Sequence, residues 1–293
     1  MEVFLPQTLE EALETKASNP ETIPIAGGTD LMVELNFDRR RPEAMMDVSR
    51  LPELQRWRRE NGQVFLGAGV TYSRIMKELA DVPAWAQAAR TVGSPQIRNR
   101  GTVGGNLGTA SPAGDALPVL AALDAEIVLV KTGGRERSLP WNEFLVGVKK
   151  TAMDPDELIL GARWKTVRGT GSFSKIGTRN AMVISVAGLC LILDEERRTI
   201  RVALGSVAPT VVRAPEAEAF ATGALSEAGA WEDPEAAVPQ GVFADFGQRV
   251  AAATSPIDDV RGTAAYRRHA VSVLAGRALA WALDDRRRQP GRG

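Results

Sequence analysis

A glycine-rich stretch between two apolar segments limits the possible folds of this chain more than any other feature. Residues 91–118 read TVGSPQIRNRGTVGGNLGTASPAGDALP, with four glycines inside eight residues at positions 101, 104, 105 and 108. Glycine adopts backbone conformations that other residues avoid, and it lets a ligand approach the main chain closely. A shorter version, IPIAGGTD, occupies 23–30 and also places a Gly-Gly pair behind a β-prone run. Residues 26–30 and 101–109 are called the first and second glycine segments below.

Two such segments could hold one anionic ligand between them. Consecutive backbone N–H groups in glycine-rich turns form anion-binding concavities, and two facing concavities suit a pyrophosphate better than one. The plain alternative is a pair of ordinary turns, because Gly-Gly pairs are common turn formers. No G-x-G-x-x-G or G-x-x-x-x-G-K-[ST] motif occurs, so the usual Rossmann and P-loop signals are absent. These residues alone indicate a phosphate-bearing ligand, with a dinucleotide as one option.

Composition argues against several other functions. The 293 residues include 36 basic and 36 acidic side chains, whereas nucleic-acid sites need a basic excess, so we expect no nucleic-acid partner. Cys190 and His269 are the single cysteine and histidine. They are too few for an iron–sulfur cluster or a zinc site of the usual Cys/His type, and we predict neither a bound metal nor a catalytic side chain. Without a signal peptide or a long apolar run, we expect a cytoplasmic protein with no membrane span.

The order of predicted elements indicates an α+β fold. Short, turn-bounded strands alternate with helices in the first part of the chain, beginning with a β-α-β unit in which Thr8 and Glu11 form a capping box. We predict a first domain at 1–168, with lobes of about 1–55 and 56–168, and a second domain at 169–288.

The second predicted domain combines a sheet with helices. Three apolar runs predict a three-stranded antiparallel sheet at 173–176, 183–193 and 199–207. The segment 223–241 is rich in Ala, Gly, Pro and Glu and is predicted to be a mobile loop. Helices are predicted near 243–253 and 263–287, and the arginines at 286–288 are expected to be solvated. The core face of the last helix is predicted to carry Tyr266, Ala270, Val273, Leu274 and Trp281.

Both glycine segments resemble those of a known flavoprotein family. AGGTD at 26–30 and IRNRGTVGGNLGTASPAGD at 97–115 are similar to the two FAD-binding signatures of the medium, flavin-carrying subunit of molybdenum hydroxylases. This family includes the carbon monoxide dehydrogenase medium subunit and the flavin domain of xanthine dehydrogenase. Further stretches at 173–193, 201–219 and 259–279 resemble the family in the same order. The resemblance implies a two-lobed FAD cradle of the vanillyl-alcohol-oxidase type, followed by the C-terminal domain of the medium subunit.

The resemblance also implies which residues contact FAD. Main-chain N–H groups of the first glycine segment would hold the pyrophosphate, and residues 102–106 would form the second half of the site. The full set of implied FAD contacts is Ile25, Ala26, Gly27, Gly28, Thr29, Asp30, Thr102, Gly104, Gly105, Asn106, Thr109, Ser111, Asp115, Ile159 and Lys175.

Four positions have more specific implications. Asp115 would bond the ribityl or ribose hydroxyls, although an Asp at a helix N-cap is an alternative. Ile159 would lie against the flavin. Lys175 would meet the pyrimidine oxygens of the flavin and favour its anionic reduced form, with an ordinary surface strand lysine as the alternative. Val92 stands where some relatives stack an aromatic ring on the adenine, so adenine stacking stays open.

The implied function is electron transfer within an oxidoreductase. FAD in this chain would take electrons from iron–sulfur clusters of a small subunit, and a large molybdenum-pterin subunit would oxidise the substrate. The acceptor would be NAD, a quinone or oxygen, and the assembly a dimer of heterotrimers. One rival is a self-contained FAD oxidoreductase of the vanillyl-alcohol-oxidase type, which would need an acid–base group beside the flavin that the sequence does not offer. A second rival is a non-catalytic nucleotide-binding module, which a flavin absorption spectrum would distinguish.

Overall fold

The structure, a computed structural model, describes residues 1–288. Its contacts divide the chain into two compact units, and neither unit is continuous in sequence. The first unit contains residues 1–75, 93–111 and 124–166, and the second contains 76–92, 112–123 and 167–288 of the described chain. Two segments of the predicted first domain therefore pack with the second unit.

The helices and strands follow in chain order. The helices are α1 (Leu9–Ser18), α2 (Leu31–Asn36), α3 (Tyr72–Glu78), α4 (Pro83–Thr91), α5 (Pro95–Arg100), α6 (Val103–Thr109), α7 (Ala116–Ala122), α8 (Trp141–Phe144), α9 (Pro215–Glu227), α10 (Gln240–Ala252) and α11 (Ala264–Arg288). The strands are β1 (Glu2–Phe4), β2 (Ile23–Ile25), β3 (Ala44–Asp47), β4 (Trp57–Glu60), β5 (Gln63–Gly67), β6 (Glu126–Lys131), β7 (Arg135–Pro140), β8 (Leu145–Gly147), β9 (Lys150–Thr151), β10 (Leu158–Lys165), β11 (Gly169–Ile176), β12 (Ala187–Asp194), β13 (Thr199–Gly205) and β14 (Val212–Arg213).

The first unit begins with the predicted β-α-β unit. Strands β1, β3 and β2 form a parallel sheet in that order. Helix α1 starts at the predicted capping box, where Thr8 Oγ1 accepts a hydrogen bond from the Glu11 N–H at 3.2 Å. The Glu11 carboxylate in turn accepts from the Gln7 N–H at 2.7 Å. These bonds satisfy N–H groups that have no partner within the helix.

A five-stranded antiparallel sheet completes the first unit, in the order β4-β5-β10-β6-β7. Asn61 and Gly62 connect β4 to β5 with φ of 49° and 71°, as a tight hairpin turn requires. Strand β4 was not predicted, because its sequence WRRE is largely charged and its residues are mostly exposed. The central strand β10 shifts register against β6 between Ile159 and Gly161, and such a bulge re-aims the side chains beside it.

The second unit contains a four-stranded antiparallel sheet in the order β11-β12-β13-β14. The three predicted strands pair as expected, but the prediction of a three-stranded sheet is wrong, because β14 pairs with β13 through Val212 and Arg213. Two residues are too short to show a periodic pattern. All eight residues of β12 are buried, and Cys190 lies among them, where burial raises the pKa of its thiol.

The predicted mobile loop at 223–241 is folded. Its first residues extend α9, and the part that follows includes the buried side chain of Trp231, whose Nε1–H donates to the Thr222 carbonyl at 3.2 Å. Arg286 donates to the Trp231 carbonyl at 2.6 Å, and Arg287 donates to the Pro234 carbonyl at 3.0 Å. The expectation of a solvated arginine tail is therefore wrong for Arg286 and Arg287, which hold this segment through its main-chain carbonyls, whereas Arg288 is 77% exposed as expected.

The core face of α11 differs from the predicted one. Ala270 and Leu274 are buried as expected, but Tyr266, Val273 and Trp281 are exposed. The remaining buried positions are mostly small or aliphatic: Arg267, Val271, Ala275, Ala278, Leu279, Ala282 and Leu283. The prediction assigned large aromatic side chains to the core. The buried face instead carries several alanines, which permit closer packing against neighbouring elements. Within the described residues, no helix is both long and apolar enough to cross a membrane.

Candidate cofactor site

The first unit contains a cavity of about 510 Å³, a size typical of small-molecule sites. Both glycine segments line it, so the structure brings together most of the predicted cofactor residues. The predicted residues on its wall are Ile25, Ala26, Gly27, Gly28, Thr29, Asp30, Thr102, Gly104, Gly105, Asn106, Thr109 and Ile159. Ser111, Asp115 and Lys175 are not part of this wall.

Backbone geometry explains the glycines of the first segment. The chain leaves β2 and turns into α2, and Gly28 has φ of +73° at that turn, a conformation costly for other residues. A Cβ on Gly27 would lie 1.9 Å from the Arg100 carbonyl oxygen. The segment therefore needs one glycine for its turn and the other for close main-chain packing.

The second glycine segment is a short helix, so the prediction of a loop at this position is wrong. Thr102 caps α6, and its Oγ1 accepts a hydrogen bond from the Gly105 N–H at 3.0 Å. The Gly104 N–H donates to the Ala68 carbonyl at 2.8 Å, and a Cβ on Gly104 would lie 2.5 Å from the Ala68 Cβ. By contrast, a Cβ on Gly108 would meet only Ile159, at 3.8 Å. A residue with a side chain at position 104 would therefore clash with Ala68, whereas the missing side chain of Gly108 leaves space at the cavity.

A side-chain hydrogen bond joins the two glycine segments. Thr109 Oγ1 at the end of α6 donates to Asp30 Oδ2 at 3.1 Å. Asp30 occupies the N-cap position of α2, yet its side chain makes no capping bond to that helix. The two residues therefore connect the glycine segments, and both segments line the same cavity.

The cavity wall has an unpaired hydrogen-bond acceptor and open space beside a glycine, as expected where a polar ligand binds. Asn106 Oδ1 is buried and has no hydrogen-bond partner among the described residues, although buried acceptors are nearly always paired. A Cβ on Gly105 would meet only Thr102 Oγ1, at 3.1 Å. Leu158 and Ile159 add apolar surface to the same cavity. An anionic group bound by main-chain N–H groups, with a donor for Asn106 and an apolar part, would satisfy these features.

Asp115 and Lys175 form a buried ion pair in the second unit. Lys175 Nζ lies 2.6 Å from Asp115 Oδ2, with the two side chains 7% and 6% exposed, and it also donates to the Thr91 carbonyl at 3.1 Å. Burial raises the pKa of Asp115, against the opposing effect of the Lys175 ammonium. Asp115 occupies the N-cap position of α7, as its alternative held, but its side chain makes no capping bond to that helix. The Lys175 side chain is buried, so the surface alternative for Lys175 is wrong.

Several residues on the cavity wall were not predicted. Lys149, Glu34, Arg40 and Tyr72 all line it. Lys149 Nζ lies 2.7 Å from Glu34 Oε1, and Arg40 Nη1 lies 3.7 Å from Glu34 Oε2. The hydrogen bond from Lys149 lowers the pKa of Glu34 below its ordinary value. No sequence motif indicates the pair of Lys149 and Glu34, because the two residues are 115 positions apart in the chain.

Comparison with known proteins identifies relatives over both halves of the chain. Residues 1–163 match the family described as the FAD binding domain in molybdopterin dehydrogenase, and residues 172–282 match the C-terminal domain of the carbon monoxide dehydrogenase flavoprotein. The nicotinate dehydrogenase FAD-subunit of Eubacterium barkeri is 37% identical over 64% of this chain and 66% of its own length. The glyceraldehyde dehydrogenase medium chain of Sulfolobus acidocaldarius is 30% identical over 93% of this chain and 95% of its own.

A solved structure shows the same similarity in three dimensions. A chain of the carbon monoxide dehydrogenase from Hydrogenophaga pseudoflava, in a form lacking the Mo-pyranopterin moiety, superposes with a TM-score of 0.83 at 25% identity. The superposition covers 97% of both chains.

Proposed function

The chain belongs to the FAD-binding subunits of the molybdopterin dehydrogenase family of oxidoreductases, and from this premise we propose that it is the electron-transfer subunit of a heterotrimeric molybdenum hydroxylase. In this proposal a small subunit with iron–sulfur clusters supplies the electrons, and a large molybdenum-pterin subunit oxidises the organic substrate. The electrons leave to NAD, a quinone or oxygen. The complex is a dimer of heterotrimers in the cytoplasm.

The observation that carries the proposal is that both glycine segments line one cavity and are joined by the hydrogen bond between Thr109 and Asp30. Main-chain N–H groups of residues 26–30 would hold the pyrophosphate of FAD, and residues 102–106 would form the second half of the site. The N–H groups of residues 103–106 already have acceptors within the protein, so this half would contribute close approach and side chains. The unpaired Asn106 Oδ1 would accept a hydrogen bond from the same ligand. When bound, FAD supplies the electron-transfer chemistry, and the protein contributes binding, orientation and electrostatics.

Side chains of the first unit have supporting roles in this proposal. The hydrogen bond between Thr109 and Asp30 fixes the separation of the two glycine segments. Ile159 provides an apolar wall that excludes water from the bound cofactor. None of these residues needs to exchange a proton with an organic substrate, which agrees with a subunit that transfers electrons only.

The predicted contacts of Asp115 and Lys175 with the flavin stay predictions. The ion pair keeps both side chains ordered in the second unit. If Lys175 lies near the flavin pyrimidine, Lys175→Met should retain FAD and lower its reduction potential, because a cation that favours the reduced ring is lost. A redox titration that gives equal potentials for the variant and the wild type would remove Lys175 from the cofactor site.

The decisive experiment is purification of the tagged chain from its native host. We expect equimolar FAD by absorbance, together with iron and molybdenum by elemental analysis and the mass of a dimer of heterotrimers by native mass spectrometry. The same chain produced alone should bind FAD but should not oxidise purines, aldehydes or heteroaromatic compounds. Steady oxidation of such a substrate by the isolated chain would overturn the proposal and favour the self-contained flavin oxidoreductase.

A further inference from the structure

One residue contacts both the helix that follows the first glycine segment and the end of the helix that forms most of the second. Lys149 lies in the turn between β8 and β9, and its N–H donates to the Ala110 carbonyl at 3.1 Å, at the C-cap of α6. Its Nζ donates to Glu34 Oε1 at 2.7 Å, on α2. The backbone of Lys149 therefore contacts the residue directly after the second glycine segment, and its side chain contacts the helix directly after the first.

The local conformation makes both contacts compatible. Lys149 has φ of +54°, and Ala110 has φ of +45°, so both residues lie in the left-handed region that single turn residues occupy. This turn brings the Lys149 N–H onto the end of α6 while its side chain extends to α2. The ion pair itself is accessible, with side chains 56% and 27% exposed for Lys149 and Glu34.

We propose that Lys149 is a positioning residue for the cofactor, one that holds the two glycine segments at the separation that a pyrophosphate requires. The inference rests on the proposed function, since it concerns the same cavity. Lys149 acts here through Glu34 and not by touching the phosphate, because its ammonium is already bound to that carboxylate. Loosening this link lets the segments separate, so bound FAD dissociates faster.

A double-mutant cycle tests the proposal on flavin-free protein. Lys149→Met and Glu34→Gln are made singly and together, and FAD binding is followed by flavin fluorescence for affinity and by stopped flow for dissociation. Lys149→Met should raise the dissociation constant about two- to five-fold, the range that an exposed ion pair can supply. Glu34→Gln should have a similar effect, because it removes the same link, and the double variant should match Glu34→Gln alone. Lys149→Arg should retain tight binding.

Glu34→Gln distinguishes a positioning role of Lys149 from direct contact between its ammonium and the phosphate. If the Lys149 ammonium bound the phosphate itself, Glu34→Gln would release it for that purpose and FAD would bind more tightly. Tighter binding in Glu34→Gln, or unchanged binding in Lys149→Met, would overturn the proposal. Failure of the wild-type chain to bind FAD would instead remove the proposed function, and this inference with it.

A second ion pair of the first unit provides the matched control. Arg163 Nε lies 2.7 Å from Glu126 Oε2, with side chains 44% and 46% exposed, and neither residue lines the cavity. Arg163→Met should leave the affinity and the dissociation rate of FAD unchanged. Both methionine variants should melt at the same temperature without FAD. Weaker FAD binding in Arg163→Met would show that the effect of Lys149 is a general loss of charge, and the positioning role would be wrong.

Discussion

The two units of this chain use charged side chains in different ways. In the second unit, Arg267 is 1% exposed and bonds two main-chain carbonyls and the carboxylate of Asp259. In the first unit, Lys149 and Glu34 form an accessible pair at the wall of a cavity. Removing one partner of a buried pair costs several kcal/mol, whereas an exposed pair contributes little to stability. The comparison predicts that loss of Arg267 lowers the stability of the second unit, whereas loss of the Lys149–Glu34 pair acts mainly on ligand binding.

Loss of Arg267 should have the largest effect. Arg267→Met would leave the carbonyls of Val186 and Ser206, bonded at 2.6 and 2.8 Å, without their donor. We expect a loss of about 3–5 kcal/mol of unfolding free energy, measured by urea denaturation. Arg261→Met is the control, because Arg261 also pairs with Asp259 but is 35% exposed, and it should cost about 1 kcal/mol or less. Equal urea midpoints for the two variants would contradict the comparison.

Substitution of Gly28 should have the next largest effect, through loss of ligand. Gly28→Val and Gly133→Val both place a branched residue at positive φ, +73° and +79°, so both should incur backbone strain of about 1–3 kcal/mol. Only Gly28 lines the cavity, and only its variant should lose FAD. Saturation at about a hundred times the dissociation constant adds roughly 2.7 kcal/mol, so added FAD should raise the melting temperature of Gly133→Val but not that of Gly28→Val.

Gly105 provides a second test of the same cavity without backbone strain. Its φ is not positive, and a Cβ there would meet only Thr102 Oγ1. Gly105→Val should therefore leave most of the fold intact and still abolish FAD retention. Full FAD occupancy, by flavin absorbance, in both Gly28→Val and Gly105→Val would show that the glycine segments are ordinary structural turns.

The buried pair of the second unit should show a smaller, pH-dependent effect. Lys175→Met leaves the Asp115 carboxyl buried without its cation, at a cost of about 1–3 kcal/mol. Without the lysine, burial raises the pKa of Asp115 in the folded variant further above its value in the unfolded chain. At a pH between these two values, folding is therefore accompanied by uptake of a proton. The variant should therefore lose stability as pH rises from the ordinary range of an aspartate through this raised pKa. Adding Asp115→Asn should remove that pH dependence, and an equal slope in the single and double variants would exclude this explanation.

The smallest effect is expected at Glu157 in the first unit. Burial acts to raise the pKa of Glu157, but bonds from Arg137 at 2.6 and 2.8 Å and from the Asp154 N–H at 2.8 Å hold it below its ordinary value. A lowered carboxyl pKa contributes stability above the unfolded value that is lost as pH falls. As pH falls from about 5, through the ordinary value of a glutamate at about 4.3 and then through the lower folded pKa, the wild type should therefore lose more unfolding free energy than Glu157→Gln. Equal losses would show that this pair does not contribute.

Sequence reasoning located the cavity because close backbone packing leaves a local signal. Gly27 and Gly104 stand where a Cβ would overlap neighbouring main chain or Ala68. The glycines at these positions can therefore be recognised in the sequence without knowledge of what they pack against. The pairing of Lys149 with Glu34 was not predictable, because each residue alone resembles any surface charge. It depends on a turn conformation and on a contact between distant parts of the chain.

The second unit shows the same limit of sequence reasoning in its last helix. Trp281 and Tyr266 were assigned to the core by size, but alanines such as Ala278 carry the buried face. The buried Arg267 was not singled out, because an arginine in a charged stretch is ordinarily solvated and its partners lie on other elements. Periodicity located the helix correctly, but it did not identify which face the surrounding elements cover.

The most direct test of the central claim is competition for the flavin-free chain. FAD and ADP share a pyrophosphate, whereas FMN lacks one. If the two glycine segments hold that group, FAD should bind and ADP should displace it, and FMN at equal concentration should not. Mass spectrometry of the ligand released from the purified protein should identify FAD. Release of FMN, or binding of FMN as tight as that of FAD, would contradict the account.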